Sequence, residues 1–392
     1  MVTAAVPHPP VPWVVVTDYP RWPSPYFTQF ERAVGGRMEL RFQPGLDGLE
    51  AQAPGVLNLH RLKRLYRDAG GTADPVLAAE LVRRLYGLRR QGWRIVWTVH
   101  NLYPIDVPQT SEADLAVVSG LLAVADTVLC HTRADAAHVR GLPGVGGRVA
   151  VCGWAGLPAP AAPTLPPGPA RLAAAMADSR AFLLAGNISA YKDVPGVIEA
   201  FLRAEVADGQ LYVVGPCRDQ ELEAAVTDLA RRSDRVHRWA GRVDPGHVRH
   251  LHDAAAVAVC NYRTDGGQRF FTQAIHPSSV GTAVVCGVPL VAPALSSIRE
   301  MTQGHPAYLH ESPADLPASL ALAAAHPDTR WGRPEPDETG PWEAIAEAHL
   351  LVAGTGGSGP AHRVGASGVG APDPGTQGGD HLRGESEDHG TI

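Results

Sequence analysis

Short apolar runs alternate with helical patterns along most of the chain. The runs are rich in Val, Leu and Ile and mostly do not alternate with polar residues, which is typical of strands covered on both faces in a parallel sheet. They predict strands over residues 12–17, 55–59, 94–99, 126–130, 149–152, 181–185, 210–214, 235–239, 256–260, 288–292 and 306–309.

Amphipathic stretches between these runs predict helices. One helix is expected to start at Asp74-Pro75, a cap followed by proline at the first helical position, and leucines then recur at helical spacing up to residue 88. Residues 194–201 and 222–229 carry similar stripes. The alternation of strands and helices predicts an α/β fold with doubly wound parallel sheets.

A proline-rich segment divides this pattern into two halves. Residues 155–170 contain six prolines, a density that predicts a semi-rigid linker. Two α/β halves joined in this way predict a cleft between them, where ligands bind. Twelve glycines and no aromatic residue predict a disordered tail over 354–392. The predicted domains are residues 1–154 and 179–330, with a linker over 155–178, a last helix within 331–353 and the tail.

Composition and charge narrow the function classes. The 392 residues carry a formal net charge of -6, which argues against a nucleic-acid partner. The N-terminal stretch lacks the features of a signal peptide, which predicts a cytoplasmic protein. Residues 270–298 carry no Asp, Glu, Lys or Arg, but their prolines and glycines favour a buried helix-turn-strand over a membrane span. Five irregularly spaced cysteines form no zinc-finger pattern, and we predict neither a metal site nor a cofactor.

The second half opens with a strand followed by a glycine-containing loop. Gly186 and Asn187 begin this loop, and Tyr191 and Lys192 stand just before the next helix. Glycine permits close backbone approach, a helix N-terminus attracts anions, and Lys192 adds a full positive charge, so the loop suits a phosphate. The alternative is an ordinary surface lysine. Neither a Walker A motif nor a GxGxxG after a strand is present, which argues against a nicotinamide-dependent oxidoreductase.

A hydroxyl-rich segment precedes an apolar helix over residues 283–286. Small hydroxyl side chains at a helix start either cap the helix or hold a phosphate, and capping is the favoured interpretation. The segment consists of Ser278, Ser279, Val280, Gly281 and Thr282.

An arginine and a histidine follow strands in opposite halves. Arg263 comes after strand 256–260 and His100 after strand 94–99, so both are expected at the carboxyl edge of a sheet, facing the cleft. Arg263 can grip a diphosphate in a bidentate way or form a salt bridge within its loop. His100 can hydrogen-bond a sugar hydroxyl, although a lone histidine at such a place is more often structural.

These motifs together resemble the GT4-like branch of the GT-B glycosyltransferases. The most specific segments are 98–101, 186–188 with Tyr191-Lys192, and 287–292, and the resemblance extends over residues 10–350. It implies two Rossmann-like domains facing a cleft. It also implies a nucleotide-diphosphate sugar as donor and retention of the anomeric configuration.

The resemblance implies roles for the candidates around the donor phosphates. Lys192 would bind the diphosphate. Arg263 would replace an arginine that the family often carries where this chain has Asn187. The helix start at 278–282 would hold the distal phosphate.

Further roles concern the base, the sugar and the last helix. The backbone around Gly241 and Arg242 would face the base, and His100 would contact the transferred sugar. Residues 341–346 look like the helix that crosses back to the first domain in this family. Asp18 and Asp106, near strand ends, are candidate bases for the acceptor hydroxyl.

One departure from the family concerns the donor sugar. The family carries two glutamates eight positions apart before its G-x-P-V-V-A run, and this chain has Ala274 and Thr282 there. A sub-branch has small hydroxyl residues in this region, as residues 278–280 do here, so activity is still expected. No DxD motif occurs in the predicted structured part, so Lys192, Arg263 and helix dipoles are expected to neutralise the leaving diphosphate without a metal.

Three functions stay open at this point. The leading one is a glycosyltransferase that moves a hexose-type sugar from a UDP- or GDP-linked donor to a glycan, lipid-linked or small secondary-metabolite acceptor. The second is a homologue that binds a nucleotide sugar without catalysis, and the third is a nucleotide-sugar epimerase. Arginine-rich stretches at 61–67 and 83–90 are solvated helix faces or, alternatively, surfaces for peripheral contact with the inner face of a membrane.

Overall fold

The described strands form two parallel sheets. A computed structural model describes residues 11–17, 25–68, 70–105, 107, 109–156, 164–263, 275–327 and 340–354. The first sheet contains β1 (Val11–Val16), β2 (Met38–Gln43), β3 (Val56–Leu59), β4 (Arg94–Val99), β5 (Thr127–Cys130) and β6 (Arg148–Val151). The second contains β7 (Arg180–Ala185), β8 (Gly209–Val214), β9 (Val236–Trp239), β10 (Val257–Val259), β11 (Leu290–Pro293) and β12 (Ala307–His310).

Helices connect the strands in both halves. Those of the first half are α1 (Pro25–Val34), α2 (Pro75–Arg90), α3 (Glu112–Val124) and α4 (Arg133–Arg140). Those that follow are α5 (Pro167–Ala177), α6 (Val194–Arg203), α7 (Gln220–Arg231), α8 (Pro245–Ala254), α9 (Ser278–Val285), α10 (Ser296–Met301), α11 (Leu316–Ala324) and α12 (Gly340–Ala353). Short 3-10 turns lie at Leu49–Ala51, Lys63–Tyr66, Ala190–Lys192 and Pro313–Asp315.

The strand order determines where the loops after β7 and β10 leave the second sheet. The first sheet has the order β2-β1-β3-β4-β5-β6 and the second β12-β11-β10-β7-β8-β9, with parallel pairing in both. In the second sheet the chain runs outward from β7 to β9 and then returns to β10 on the other side of β7. The loops after β7 and β10 therefore leave the same edge in opposite directions, which is where open α/β sheets bind ligands.

Both sheets are covered on two faces by apolar helices. In the first, α2 and α3 bury Leu85 and Leu121 on one face, and α1 and α12 bury Phe30 and Ile345 on the other. In the second, α6, α7 and α11 cover one face, and α5, α8 and α9 cover the other. Each fully buried side chain of this size contributes about 1.5–3 kcal/mol, so the strand ends are held on a rigid frame.

The structure bears out the predicted parallel α/β architecture with a few differences. The strand β2 was missed because it lies at a sheet edge and is half-exposed, so its sequence alternates with polar residues. The helix α5 lies inside the segment predicted as a linker, and its prolines stand in the first turn, where no amide donor is needed. The helix expected at 283–286 begins earlier, at Ser278. The domain bounds stay predictions.

The remaining predictions concern the uncharged stretch, the last helix, the linker and the tail. The uncharged stretch forms α9 and β11, and none of the described helices is long and apolar enough to cross a membrane. The last helix packs on α1, and Arg94 donates to the carbonyl of Val352, which ties α12 to the first sheet. The predicted tail beyond residue 354 and residues 157–163 of the predicted linker lie outside the described residues.

Candidate functional site

The loop after β7 holds a buried lysine. Gly186 has a φ of 105°, and a Cβ there would lie 3.1 Å from Nζ of Lys192, so glycine both permits the turn and leaves room for the ammonium group. Lys192 is 9% exposed, and its Nζ donates to the carbonyl of Ala185 at 3.3 Å. The interpretation of Lys192 as an ordinary surface lysine is therefore wrong.

The end of β10 closes on this loop. The side chain of Asn261 donates from Nδ2 to the carbonyl of Lys192 at 3.1 Å, and the amide of Arg263 donates to the carbonyl of Tyr191 at 2.6 Å. The rings of Tyr191 and Tyr262 are stacked, with centroids 6.4 Å apart. Two loops that are 70 residues apart in sequence thus form one surface at the point where the sheet reverses direction.

Arg263 forms a salt bridge, which was the alternative to binding a diphosphate. Its Nη2 lies 2.5 Å from Oδ1 of Asp193, the residue before α6. Asp193 has a left-handed backbone with φ 47°, and its carboxylate lies over the start of α6, so close that a Cβ on Gly196 would be 2.4 Å from Oδ2. The chain's own carboxylate therefore occupies the α6 N-terminus that the sequence indicated for a phosphate.

The helix α9 begins after Pro277, which as the N-cap residue makes no side-chain hydrogen bond to the helix. The hydroxyl of Ser279 bonds to the phenol of Tyr262, and Oγ1 of Thr282 donates to the carbonyl of Ser278 at 2.8 Å. These hydroxyl bonds of Ser279 and Thr282 are thus not to the amides at the helix start, and a capping role for Ser278 stays a prediction. The bond from Ser279 brings the α9 start to the end of β10.

Three predicted site residues lie at the margin. Asn187 is exposed beside Gly186. Gly241 and Arg242 follow β9, two strands from β7 along the same carboxyl edge. A Cβ on Gly241 would come within 2.6 Å of the ring of Trp239, so the backbone there packs against an aromatic face.

His100 lies in a cluster of four histidines. His60 Nδ1 and His100 Nε2 are 2.8 Å apart. The ring of His131 lies 5.0 Å from that of His100 and stacks on His276 at 4.0 Å. The ring of Tyr26 meets His100 edge-on at 4.9 Å. His100 is thus not a lone histidine, and its sugar contact and its structural role both stay predictions.

The cluster joins the two halves of the chain. His60, His100 and His131 follow β3, β4 and β5, which are neighbours in the first sheet, whereas His276 stands two residues before α9. The amide of His276 donates to the carbonyl of His100 at 2.7 Å, and Asn101 and Ile275 form an isolated antiparallel bridge. Contacts thus run continuously from the lysine loop through β10 and α9 to His100.

Burial keeps these imidazoles neutral. It lowers the pKa of His131 to about 4 and those of His60, His100 and His276 well below 6.5. For the last three, the neighbouring imidazoles and Arg61 lower the pKa further. A neutral imidazole has one donor and one lone-pair nitrogen. The cluster therefore offers ring nitrogens that can accept a hydrogen bond or bind a cation at neutral pH.

Three members of this cluster were not predicted, although the sequence carries a signal for two of them. His60 and His131 directly follow predicted strands 55–59 and 126–130, as His100 follows 94–99. Histidines after adjacent parallel strands meet at one edge. The candidate positions Ala274, Asp18 and Asp106 lie outside the described residues, so their places in the site stay predictions.

Several arginines in the basic stretches of the first half are paired with acids. Arg67 forms a buried salt bridge with Asp114 at 2.6 Å. Arg84 bonds both Asp47 and Glu50 on the surface. Such pairing agrees with solvated or structural arginines, and membrane contact stays a prediction.

Comparison with known families gives a match within the second half. Residues 179–326 match the family described as glycosyl transferases group 1. This segment contains β7 to β12 and the Gly186–Lys192 loop. The resemblance drawn from the sequence motifs is confirmed here. No curated protein matches the sequence significantly.

Solved structures with the same fold cover most of the chain. One, described as trehalose-6-phosphate from E. coli bound with UDP-2-fluoro glucose, has a TM-score of 0.55 and 12% identity over 87% of this chain and 96% of that one. Sucrose-phosphate synthase from Thermosynechococcus elongatus has 0.54 and 15%, over 87% and 98%. HepE from Anabaena, in complex with UDP and glucose, has 0.52 and 13%, over 88% and 95%. At these identities they establish the GT-B fold.

Proposed function

Because residues 179–326 match the glycosyl transferases group 1 family and the chain has the GT-B fold, we propose that this protein is a glycosyltransferase that uses a nucleotide-diphosphate sugar. The observation that carries the proposal is the buried Lys192 in the loop after β7. The chain has only two lysines, Lys63 and Lys192, against 32 arginines, so a lysine enclosed at the ligand-binding edge of the matched domain is unusual.

Lys192 is proposed to bind the donor diphosphate. Breaking the anomeric C–O bond leaves negative charge on the diphosphate, and a fixed ammonium group at a water-poor site stabilises that charge. The start of α9 is proposed to hold the distal phosphate, since its N-cap residue, Pro277, makes no side-chain hydrogen bond to the helix. The diphosphate is thus neutralised by the protein without a metal, and the transfer retains the anomeric configuration, as the family resemblance implies.

Arg263 is proposed to exchange partners when the donor binds. Its guanidinium now bonds to Asp193 and is 41% exposed, so the fork can turn toward a phosphate without leaving a buried charge. A diphosphate competes well for a guanidinium because it offers bidentate charged acceptors. The proposed order of importance is therefore Lys192 first and Arg263 second.

UDP-sugars are proposed as the donors rather than GDP-sugars. Among the similar structures, one contains UDP-2-fluoro glucose and another contains UDP and glucose. The acceptor is proposed to be a hydroxyl of a sugar or of a sugar-bearing molecule, and it binds on the side of the first sheet. His100, at the end of β4, is proposed to contact the transferred sugar.

A donor-turnover assay tests this proposal. The protein is incubated with UDP-hexoses, with and without a panel of sugar acceptors, and UDP release and products are measured. Acceptor-dependent UDP release that Lys192→Met abolishes and Lys63→Met leaves unchanged supports the transferase. Conversion of the sugar without UDP release would instead identify an epimerase.

A second candidate is a protein that binds the nucleotide sugar without turning it over. It is favoured by Thr282, which stands where the family has a glutamate and whose hydroxyl bonds within its own helix, to the carbonyl of Ser278. In that case UDP-sugars bind in a Lys192-dependent manner but neither UDP nor a modified sugar appears with any acceptor.

A further inference from the structure

Histidines follow three neighbouring strands of the first sheet, and a fourth comes from the second half. One ring nitrogen each of His100, His131 and His276 lies within 4.8 Å of the other two. His131 is 1% exposed. Nothing in the donor-site proposal requires four imidazoles at this place.

Several nitrogens of the cluster have no partner. Nε2 of His60, His131 and His276 is buried without a hydrogen bond to any described residue, as is the hydroxyl of Tyr26. Each buried polar atom left without a partner costs about 1–3 kcal/mol. This concentration of buried polar atoms without a described partner favours a binding site among these histidines.

The hydrogen bonds show which nitrogens carry lone pairs. Nδ1 of His131 lies 2.8 Å from the carbonyl oxygen of Gly153, so it must donate, and Nε2 is left with the lone pair. If Nε2 of His100 donates to Nδ1 of His60, the lone pair of His100 is on Nδ1. Imidazoles that bind metals are oriented in this way, by donating their other N–H to a carbonyl or a similar acceptor.

We propose that His100, His131 and His276 bind a divalent transition-metal ion, with Gly153 and His60 orienting two of the ligands. Neutral imidazole suits zinc and its neighbours in the first transition row, and three histidines with a further open position form a known type of zinc site. Two nitrogens of a tetrahedral zinc site lie roughly 3.4 Å apart, so each ring must move inward by less than about 1 Å.

The proposed metal site is separate from the diphosphate site and has a different effect on the protein. His100 and His131 belong to the first sheet and His276 to the segment that leads into α9, so the ion links the two halves of the fold. It also occupies the ring nitrogen of His100 that a direct sugar contact would use, so the sugar would meet the metal or its water. The proposal does not depend on the transferase activity.

Metal content and cobalt spectra of the untagged full-length protein test the site. We expect one zinc per chain after dialysis against a weak chelator. After the zinc is removed, Co²⁺ should bind in the same ratio and give the visible absorption of a low-coordinate cobalt site, which zinc then displaces. The absence of both stoichiometric metal and the cobalt spectrum in the wild-type protein overturns the proposal, whatever the variants do.

Matched substitutions identify the ligands. His276→Gln, at a partly exposed position, should abolish the cobalt spectrum while the circular dichroism is kept. His60→Gln should weaken cobalt affinity by about 10- to 100-fold, because it removes an orienting partner and not a ligand. His349→Gln, at a fully buried histidine outside the cluster, should leave the metal ratio and spectrum unchanged. A metal ratio and spectrum that survive in His276→Gln would place the ion elsewhere and refute the site.

Discussion

His349 on α12 makes the attachment of the last helix dependent on pH. Its side chain is 0% exposed and packs against the rings of Phe30 and Trp13, with centroids 4.7 and 5.8 Å away. Nδ1 donates to the carbonyl of Ile345 at 2.7 Å. Burial lowers the pKa of His349 to about 4 from its ordinary value of 6.5, because the charged ring would lose its water.

The sign and size of the effect of pH on stability follow from the difference between the pKa of His349 in the folded and in the unfolded protein. The folded protein keeps His349 neutral, whereas the unfolded chain takes up a proton below pH 6.5, so stability is fully present above that pH and is lost as the pH falls toward 4. At pH 5 this one residue should cost about 2 kcal/mol relative to pH 7 or above. The buried cluster histidines act in the same direction, so the contribution of His349 must be isolated by substitution.

Urea unfolding at pH 7 and pH 5, followed by tryptophan fluorescence, measures the contribution. Trp13 and Trp342 lie in the same apolar cluster as α12 and report its release. His349→Gln removes the titrating group, and the loss of stability between the two pH values should shrink by about 2 kcal/mol. His138→Gln on α4 is the control and should behave as the wild type. An unchanged pH dependence in His349→Gln would refute the reasoning.

Two further substitutions test the loops and the contact between the halves. Gly186→Ala should destabilise the protein by about 1–3 kcal/mol and weaken UDP binding, because φ is 105° and the new methyl group would press on Lys192. Thermal unfolding measures the first effect and titration with UDP the second. An unchanged UDP affinity would contradict this view of the loop. Glu300 caps the start of α4 by accepting hydrogen bonds from the amides of Arg133 and Ala134, each at 2.9 Å. Glu300→Ala should therefore lower the free energy of unfolding in urea by about 0.5–2 kcal/mol. Equal stability to the wild type would show that this cap contributes nothing.

The sheets could be predicted because their strands are apolar on both faces. Residues 94–99 and 181–185 contain nearly continuous apolar runs, and the structure shows both in the interior of parallel sheets. The edge strand β2 was missed because water covers part of it, which permits glutamate and arginine within the strand. The helix α5 was missed because a proline-rich sequence was assumed to exclude a helix, although proline is favoured in the first turn.

Site residues could be predicted from the sequence only where they follow a predicted strand. Gly186 and Lys192 were identified because they follow a strand at the expected turn. Asn261, which comes from another loop, bonds the backbone carbonyl of Lys192, and local pattern gives no sign of this contact. His276 reaches His100 across the two halves, and no spacing in the sequence indicates a contact between residues 176 positions apart.

Calorimetric titration of UDP into the wild type, Lys192→Met and Lys63→Met tests the central claim most directly. The account predicts that UDP binds the wild type and Lys63→Met alike. Lys192→Met should lose about 2–5 kcal/mol of binding free energy, because the ammonium group is proposed to face a buried diphosphate. Equal affinity in all three proteins, or no binding of UDP to the wild type, would contradict the assignment of the loop after β7 as the donor site.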